Sequence, residues 1–204
     1  MLLRLLASFI LLASLLVLPK VQGAVGDTFT TGLLRYTVLT EKSASKTGTV
    51  SVRRASENIS GDITIPSSVF NKGINYSVTS IEMGAFCDCS SLTSVHIPDS
   101  VTEIGTVAFG GCSSLTSVII PDSVTSIGEG VFYGCSSLTE IVVGENNPEY
   151  GSLDGVLFNK GQTALIRCPG GKSGTYIVPD GVTEIGVGAF LKCSNLTSVI
   201  IPDS

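Results

Sequence analysis

The chain repeats itself every 23 residues from Val78 onward, and this period constrains its fold more than any other feature of the 204 residues. Consecutive copies begin at Val78, Val101 and Val124, and a fourth begins at Val182. With few departures they share the form V-T-x-I-G-x-x-A-F-x-x-C-S-S-L-T-S-V-x-I-P-D-S. Self-similarity at a short fixed period predicts a solenoid, in which each unit buries its apolar face by stacking on its neighbours. Such a scaffold presents one extended face, which favours a binding function.

Each copy contains one strand with a defined inner and outer side. The segment Leu115 to Ile120 has the L-x-x-L-x-L shape, with valine in place of one leucine. Strand alternation points Val118 and Ile120 inward, while Ser117 and Ile119 point outward. The copies should therefore form a stack of parallel strands, with the inward positions of successive copies in one column.

The rest of the copy returns the chain to the next strand. Pro121-Asp122-Ser123 has the composition of a turn, and Gly128 permits a tight bend. The segment Val131 to Cys135 is predicted to form one helical turn that carries Phe132 into the core. Each coil is therefore predicted to consist of a strand, a turn, a short extended piece and a helical turn.

The repeat resembles the BspA-like leucine-rich repeats of bacterial and protist surface proteins. The resemblance covers Val78 to Ser204, and Gly26–Phe29 and Gly61–Pro66 are similar to the usual N-terminal region of that family. It implies a leucine-rich-repeat solenoid, a β-rich α/β fold, and a role in adhesion to host extracellular proteins or to other cells. The first copy departs from the pattern, because Glu82-Met83 replaces Gly-x, which predicts a looser bend there.

Residues 1–23 are predicted to be an export signal. Arg4 precedes an apolar run of 14 residues, Leu5 to Leu18, and Val21-Gln22-Gly23 suits a cleavage site. A membrane helix needs about 20 apolar residues, so a stable anchor is the weaker interpretation. We therefore expect a secreted or cell-surface protein without a membrane span after cleavage.

The remaining chain divides into a cap and a repeat region. Residues 24–77 lack the repeat and are predicted to form a β-rich cap with four strands, Leu33–Leu39, Gly48–Val52, Asp62–Ile65 and Ile74–Val78. Residues 78–204 are the repeats, interrupted by an insertion at 144–181. Within the insertion, Val156–Phe158 and Ala164–Ile166 are predicted to pair as a hairpin. The insertion is either an elongated coil that keeps the register or a protruding contact loop.

Composition and motifs argue against catalysis and against nucleic acid. The net charge is −5 and the basic residues are scattered, unlike the clustered basic footprint of a nucleic-acid binder. The only histidine, His96, has no second histidine for a metal site, and Glu140 is the only acid predicted on the outward strand face. Residues Gly170 to Gly174 lack the spacing of a phosphate loop. The recurring aspartates are interpreted as turn residues and not as a calcium site: Asp99, Asp122, Asp180 and Asp203. We expect no enzyme, cofactor or metal.

Four of the six cysteines occupy one repeat position, Cys89, Cys112, Cys135 and Cys193. The side chains of stacked coils run parallel, which disfavours disulfide geometry, so a buried ladder of reduced thiols is predicted. Cys87 and Cys168 fall outside this ladder, roughly three coils apart, and a bond between them is the weaker alternative.

The functional prediction is a protein-interaction or adhesion module that binds extracellular or cell-surface proteins through the outward strand positions. These positions are Ser94, His96, Ser117, Ile119, Glu140, Val142, Ser198 and Ile200. The alternatives are a glycan-processing solenoid enzyme and a structural spacer in a longer repeat protein. The final coil has no further repeat over Phe190, Val199 and Ile201, so self-association through this uncapped coil is also predicted.

Overall fold

The computed structural model describes residues 23–43, 47–57 and 59–203, which form strands and turns. The predicted signal peptide lies outside the described residues, apart from Gly23. The described part of the chain contains no helix that is long and apolar enough to cross a membrane. In chain order its strands are β1 Thr28–Thr31, β2 Leu34–Thr40, β3 Gly48–Arg54, β4 Ser60–Thr64, β5 Ser68–Asn71, β6 Ile74–Ile81, β7 Ser91–His96, β8 Glu103–Ile104, β9 Ser117–Ile120, β10 Ser126–Ile127, β11 Glu140–Val143, β12 Tyr150–Leu153, β13 Val156–Asn159, β14 Ala164–Arg167, β15 Gly174–Ile177, β16 Glu184–Ile185 and β17 Leu196–Ile200.

The N-terminal strands cover the first coil of the solenoid. Strands β1, β2 and β3 pair antiparallel, and β3 then pairs in parallel with β6, which continues to β8 and β10. The four strands predicted in this region are confirmed as β2, β3, β4 and β6, whereas β1 and β5 were not predicted. One sheet therefore runs from the N-terminal segment into the repeats, and β3 pairs with the open edge of the first coil.

The coils that begin at Val78, Val101 and Val124, here called the regular coils, stack with a constant register of 23 residues. Ser117 pairs with Glu140 on one side of the stack, and Glu103 pairs with Ser126 on the other. The inward residues Val95, Val118 and Ile141 are buried. The rings of Phe86, Phe109 and Phe132 stack in the same core, with centroids 5.3 and 5.9 Å apart.

The predicted helical turns are wrong, because this segment is a series of tight turns without a helix in the described residues. Backbone N–H groups alternate in direction. Those of Val107 and Phe109 donate to the next coil, while those of Ala108 and Gly110 donate to carbonyls three residues back. Val107 and Gly111 have left-handed φ angles of 51° and 73°, and equivalent residues of the other coils do the same. A helix needs an unbroken run of right-handed residues, so these positions and the donors shared with the next coil exclude one.

The glycine of the I-G-x-x-A-F motif serves close packing between coils. A Cβ atom on Gly128 would lie 2.2 Å from the backbone nitrogen of Thr106 in the preceding coil. Glu82 takes this position in the first coil, where it faces the cap and not another coil. Its carboxylate accepts hydrogen bonds from Thr37 (2.8 Å) and Ser51 (2.6 Å). The predicted looser bend is wrong, because the turn after Glu82 keeps the same backbone hydrogen bonds as the later copies.

Residues 144–181, here called the insertion coil, contain the predicted hairpin, which is confirmed as the antiparallel pair β13–β14. Strand β14 then pairs in parallel with β16 of the last coil, residues 182–203, and β15 pairs in parallel with β17. The buried residues form two clusters that meet at β13. Leu157 belongs to the first cluster, and Val156 and Phe158 belong to the second. Strand β13 is buried along three successive residues because it separates two cores.

Candidate functional site

The outward residues of the strands form one surface, here called the strand face. The structure places all eight predicted residues on it, each exposed to solvent. Three strand pairs, β4–β7, β9–β11 and β15–β17, each place small or charged side chains in a first column and larger side chains in a second. The first column contains Asp62, Ser94, Ser117, Glu140, Thr175 and Ser198, and the second contains Thr64, His96, Ile119, Val142, Ile177 and Ile200. The insertion strands β12 and β13 contact β11, so these columns are continuous within each strand pair.

Sequence analysis missed four members of these columns, Asp62, Thr64, Thr175 and Ile177. Both segments end in the strand–proline pattern of the repeat, at Asp62–Pro66 and Thr175–Pro179, and this pattern was the available signal. The strand face therefore carries a second acid, Asp62, in addition to Glu140. The Asp62 carboxylate accepts a hydrogen bond from Thr93 (2.9 Å). Strand β4 pairs in parallel with β7, so the parallel stack already includes residues 60–64.

Four aliphatic side chains of the second column are exposed to solvent. Ile119 and Ile177 each expose 63% of their surface, Ile200 exposes 48% and Val142 exposes 38%. Scattered exposed aliphatic residues carry no meaning, whereas an aligned column is typical of a contact surface. Val199 keeps the inward register, because it pairs with the buried Tyr176. It is nevertheless 37% exposed, while its counterparts in the regular coils are buried, as predicted for an inward residue with no further coil over it.

A shallow cleft divides the strand face between β7 and β9. Thr116 donates its N–H to the Thr93 carbonyl (3.3 Å) at one end of these strands, and a cavity of about 270 Å³ opens beyond that contact. Six of its lining residues are Ser94, His96, Asp99, Ser117, Ile119 and Pro121. The cleft thus brings the only histidine, an aspartate and an aliphatic side chain to the same part of the face.

A second concave region lies on the turn side of the solenoid, where the insertion coil lacks the Gly-x-x-Ala-Phe-x-x-Cys turn. The gap is an apolar groove of about 500 Å³ between the turns of the third regular coil and the last coil. Tyr133 and Glu129 lie on one side, Val187 and Leu191 on the other, and Ile166 lies between them. Val187 is fully exposed in this groove.

Two arginines replace the backbone donors that a missing turn would supply. In the regular coils, Asp88 N–H and Gly111 N–H donate to Gly110 O and Tyr133 O of the next coil, each at 2.7 Å. Leu191 O has the equivalent position in the last coil, and Arg167 donates to it at 2.9 Å. Arg167 is buried and also donates to Gly188 O at 2.6 Å and Phe132 O at 3.3 Å.

Arg54 does the same for the first coil. Arg54 is the last residue of β3, and the antiparallel strands of the cap have no such turn. Its guanidinium donates to the Cys87 carbonyl and to Cys89 Sγ (3.3 Å). Cys87 O is the first-coil equivalent of Gly110 O. Both arginines therefore satisfy carbonyls that would otherwise lack the donor of a preceding coil. Sequence analysis did not single them out.

The ladder cysteines bond to carbonyls of the coil beneath them. Cys112 Sγ donates to Phe86 O at 3.2 Å, and Cys135 Sγ donates to Phe109 O at 3.1 Å. Burial raises the pKa of Cys135 to about 11 and raises the pKa of Cys112. These two thiols therefore stay protonated at neutral pH and resist oxidation.

The turn motifs have structural contacts. Asp122 accepts hydrogen bonds from the backbone and side-chain nitrogens of Asn146, at 3.1 and 3.2 Å. In the Gly170–Gly174 segment, Lys172 donates to the carbonyl of Asp154 at 2.6 Å and lies 5.5 Å from the centre of the Tyr176 ring. Both motifs link neighbouring parts of the stack.

Comparison with known proteins identifies the family. The family model described as "BspA type Leucine rich repeat region" matches six copies at residues 61–154 and 171–204, together more than half of the chain. The chain therefore belongs to the BspA-type leucine-rich repeat family. Among curated proteins, none matches the sequence.

Two solved structures with TM-scores above 0.5 show the same fold. A leucine-rich repeat protein from Bacteroides ovatus matches with 28% identity and a TM-score of 0.52, over 85% of this chain and 41% of that one. The T. pallidum leucine-rich repeat protein matches with 26% identity and a TM-score of 0.52, over 85% of this chain and 71% of that one. The pneumococcal vaccine antigen PcpA matches with 22% identity and a TM-score of 0.49, over 88% and 65%. The match spans less than two thirds of the Bacteroides protein and of PcpA.

Proposed function

We propose that this chain is a secreted or cell-surface leucine-rich-repeat module that binds a protein partner through the strand face. The observation that carries the proposal is two apolar pairs on neighbouring strands, Ile119 with Val142 and Ile177 with Ile200, each residue at least 38% exposed. Burial of these aliphatic side chains against a partner would remove apolar surface from water. Their pairing on neighbouring strands is accounted for if a partner covers them.

The chemistry of the column suits protein recognition. All four residues are β-branched, so each has restricted χ1 freedom on a strand before binding and loses little side-chain entropy when a partner orders it. The neighbouring column supplies serine, threonine and two carboxylates at the edge of the apolar strip. An apolar centre beside a polar margin is the usual anatomy of a protein–protein interface.

The export context supports an extracellular partner. The predicted signal peptide would bring the chain outside the cell, and the resemblance implies adhesion to extracellular proteins or to other cells. The self-association predicted for the last coil concerns Val199 and Ile201 of the open coil and stays a separate prediction. The strand-face proposal does not depend on it.

A binding assay with matched variants tests the proposal. The chain would be offered to arrayed extracellular-matrix and cell-surface proteins, and every interaction found would be measured again with the double variant Ile119→Ser and Ile177→Ser. Phe70 and Met83 are similarly exposed, at 69% and 73%, but lie off the strand face, so Phe70→Ser and Met83→Ser form the matched control.

The expected result is a loss of affinity of about tenfold or more for the face variant, as for the central residues of an interface, with little change for the control. Unchanged melting temperatures would show that both variants fold. Equal affinities of the face variant and the natural chain, or an equal loss in the control, would reject the strand face as the binding surface.

A further inference from the structure

The insertion coil places a second thiol against the ladder cysteine of the last coil. The backbone N–H of Cys168 donates to Ala189 O, as that of Phe109 donates to Val131 O, so Cys168 takes the position of the stacked phenylalanine. Cys193 Sγ lies 3.5 Å from both Cys168 O and Pro169 O, and Cys168 Sγ lies 3.8 Å from the same Pro169 O, so both sulfurs contact one carbonyl oxygen. In the regular coils, the equivalent partner of the ladder cysteine is phenylalanine, as Phe86 is for Cys112 and Phe109 is for Cys135.

We propose that Cys168 and Cys193 form a disulfide when the chain meets a disulfide oxidant, which ties the insertion coil covalently to the last coil. The two residues occupy different repeat positions, so their side chains approach from different directions. The parallel geometry that disfavours bonds between successive ladder cysteines does not apply to this pair. The pair is therefore the exception to the reduced ladder that the sequence predicts.

The two thiols differ in reactivity in a way that suits this reaction. The hydrogen bond from Cys168 lowers the pKa of Cys193 to about 7, and the pKa of Cys168 is raised by the same bond and by burial. Cys193 is half-buried, whereas Cys168 is fully buried. Cys193 is thus the accessible thiolate at neutral pH, and Cys168 is the resolving thiol.

The reaction balances with an external disulfide of the type R–S–S–R. The Cys193 thiolate attacks one sulfur, which forms a mixed disulfide with the chain and releases R–S⁻, which takes a proton from water. Cys168 then loses its proton and attacks the Cys193 sulfur, so the second R–SH leaves and the Cys168–Cys193 bond forms. The chain loses two hydrogens and the oxidant gains them. Oxidising compartments outside the cytosol supply such oxidants.

The test is oxidation of the whole purified chain. The reduced protein would be equilibrated with glutathione disulfide, denatured without reductant, alkylated and weighed. The expected mass shows four alkylated cysteines of six and the loss of two hydrogens. Trypsin should release residues 168–172 linked to residues 193–204, because it cuts after Arg167, Lys172 and Lys192.

Single variants separate this pair from the other thiols. Cys193→Ser should retain five alkylated cysteines with no loss of hydrogens. Cys168→Ser should retain four alkylated cysteines and one glutathione bound to Cys193, because the resolving thiol is missing. The control Cys89→Ser should still lose two hydrogens. Three results for the natural chain would overturn the proposal: six alkylated cysteines, a persistent glutathione adduct, or a linkage mapped to any other pair. Because the natural chain carries the primary result, a variant that fails to fold leaves the test intact.

Discussion

The core of the regular coils and the core between the insertion coil and the last coil contain the same repeat motif but bury its apolar residues to different extents. In the first, coils of equal length stack, and Val118 and Ile141 are 1% and 0% exposed. In the second, a coil without a turn lies beneath the last coil, where Val199 is 37% exposed and Phe190 is only partly buried. Strand β17 of the last coil pairs with β15 alone, so among the described residues this coil has a neighbour on one side only. The comparison shows that the motif buries its apolar residues fully only between two neighbouring coils. Where the shape differs, individual side chains such as Arg167 replace the missing contacts.

The largest expected difference concerns the aromatic position. Phe109→Ala should destabilise the chain by about 3 to 5 kcal/mol, because the ring is fully buried between Phe86 and Phe132. Phe190→Ala should cost about 1 to 2 kcal/mol, because that ring is only partly buried and meets Tyr176 at 6.1 Å. Urea unfolding followed by circular dichroism measures both. Equal losses would mean that the two cores are packed alike.

The second test removes the arginine that stands in for a turn. Arg167→Met should cost about 3 kcal/mol, because three carbonyls lose a donor in a buried site. Arg54→Met should cost about 1 kcal/mol, because Arg54 is only half-buried. The exposed Arg53, whose ion pair with Glu82 spans 3.7 Å, is the matched control and should change stability little. If Arg167→Met unfolds at the same urea concentration as Arg53→Met, backbone capping by Arg167 is wrong.

The repeat glycine offers a test at identical motif positions. Gly128→Ala should cost about 2 kcal/mol, since its Cβ would lie 2.2 Å from the Thr106 nitrogen, a contact with rigid backbone. Gly186→Ala should cost clearly less, because its nearest contact, the Leu165 carbonyl oxygen, lies at 3.1 Å and needs to move by only a few tenths of an ångström. Melting temperatures of the two variants, measured side by side, should differ by several degrees. The reverse order would contradict the tighter packing of the regular coils.

The smallest expected effect lies in the Pro-Asp-Ser turn. Ser123→Ala should cost about 1 kcal/mol, because its hydroxyl donates to the carbonyl of Val101, the first residue of the same coil, at 2.7 Å. Ser113 is the control, because its bond to Ser90 O is longer, 3.4 Å, and exposed. The melting temperatures of Ser123→Ala and Ser113→Ala distinguish the two hydroxyl groups. A matching loss for Ser113→Ala would show that the spacing of the coils, and not this hydroxyl, sets the stability of the turn.

Much of the scaffold was predictable because period and alternation act locally. The 23-residue spacing predicts which residues pair, as Ser117 with Glu140, and alternation predicts that Val118 is buried while Ile119 is exposed. The hairpin of the insertion was predictable from two apolar runs around Asn159–Gln162, where Asn159 accepts bonds from the backbone of Thr163 and Ala164.

The features that escaped prediction depend on neighbouring coils. The short apolar segment Val131 to Cys135 suits a helix by composition, but the carbonyls of Val131 and Tyr133 accept inter-coil bonds that no single repeat reveals. The strands at Asp62 and Thr175 lie in copies that have lost the rest of the motif, so a search for whole repeats passes over them. Arg167 and Cys168 acquire their contacts only because the insertion coil omits a turn.

Strand β13 lies between the two cores and gives side chains to both, Leu157 to the first and Phe158 to the second. Such a partition allows the last coil and the insertion to open together while the regular coils remain closed, since the buried apolar residues of the two halves form separate clusters. Amide protons should accordingly exchange with solvent in two groups: a faster group from Gly174 to Ile200 and a slower one from Leu92 to Ile141. If both groups exchange at one rate, the two cores open together, and strand β13 does not separate their opening.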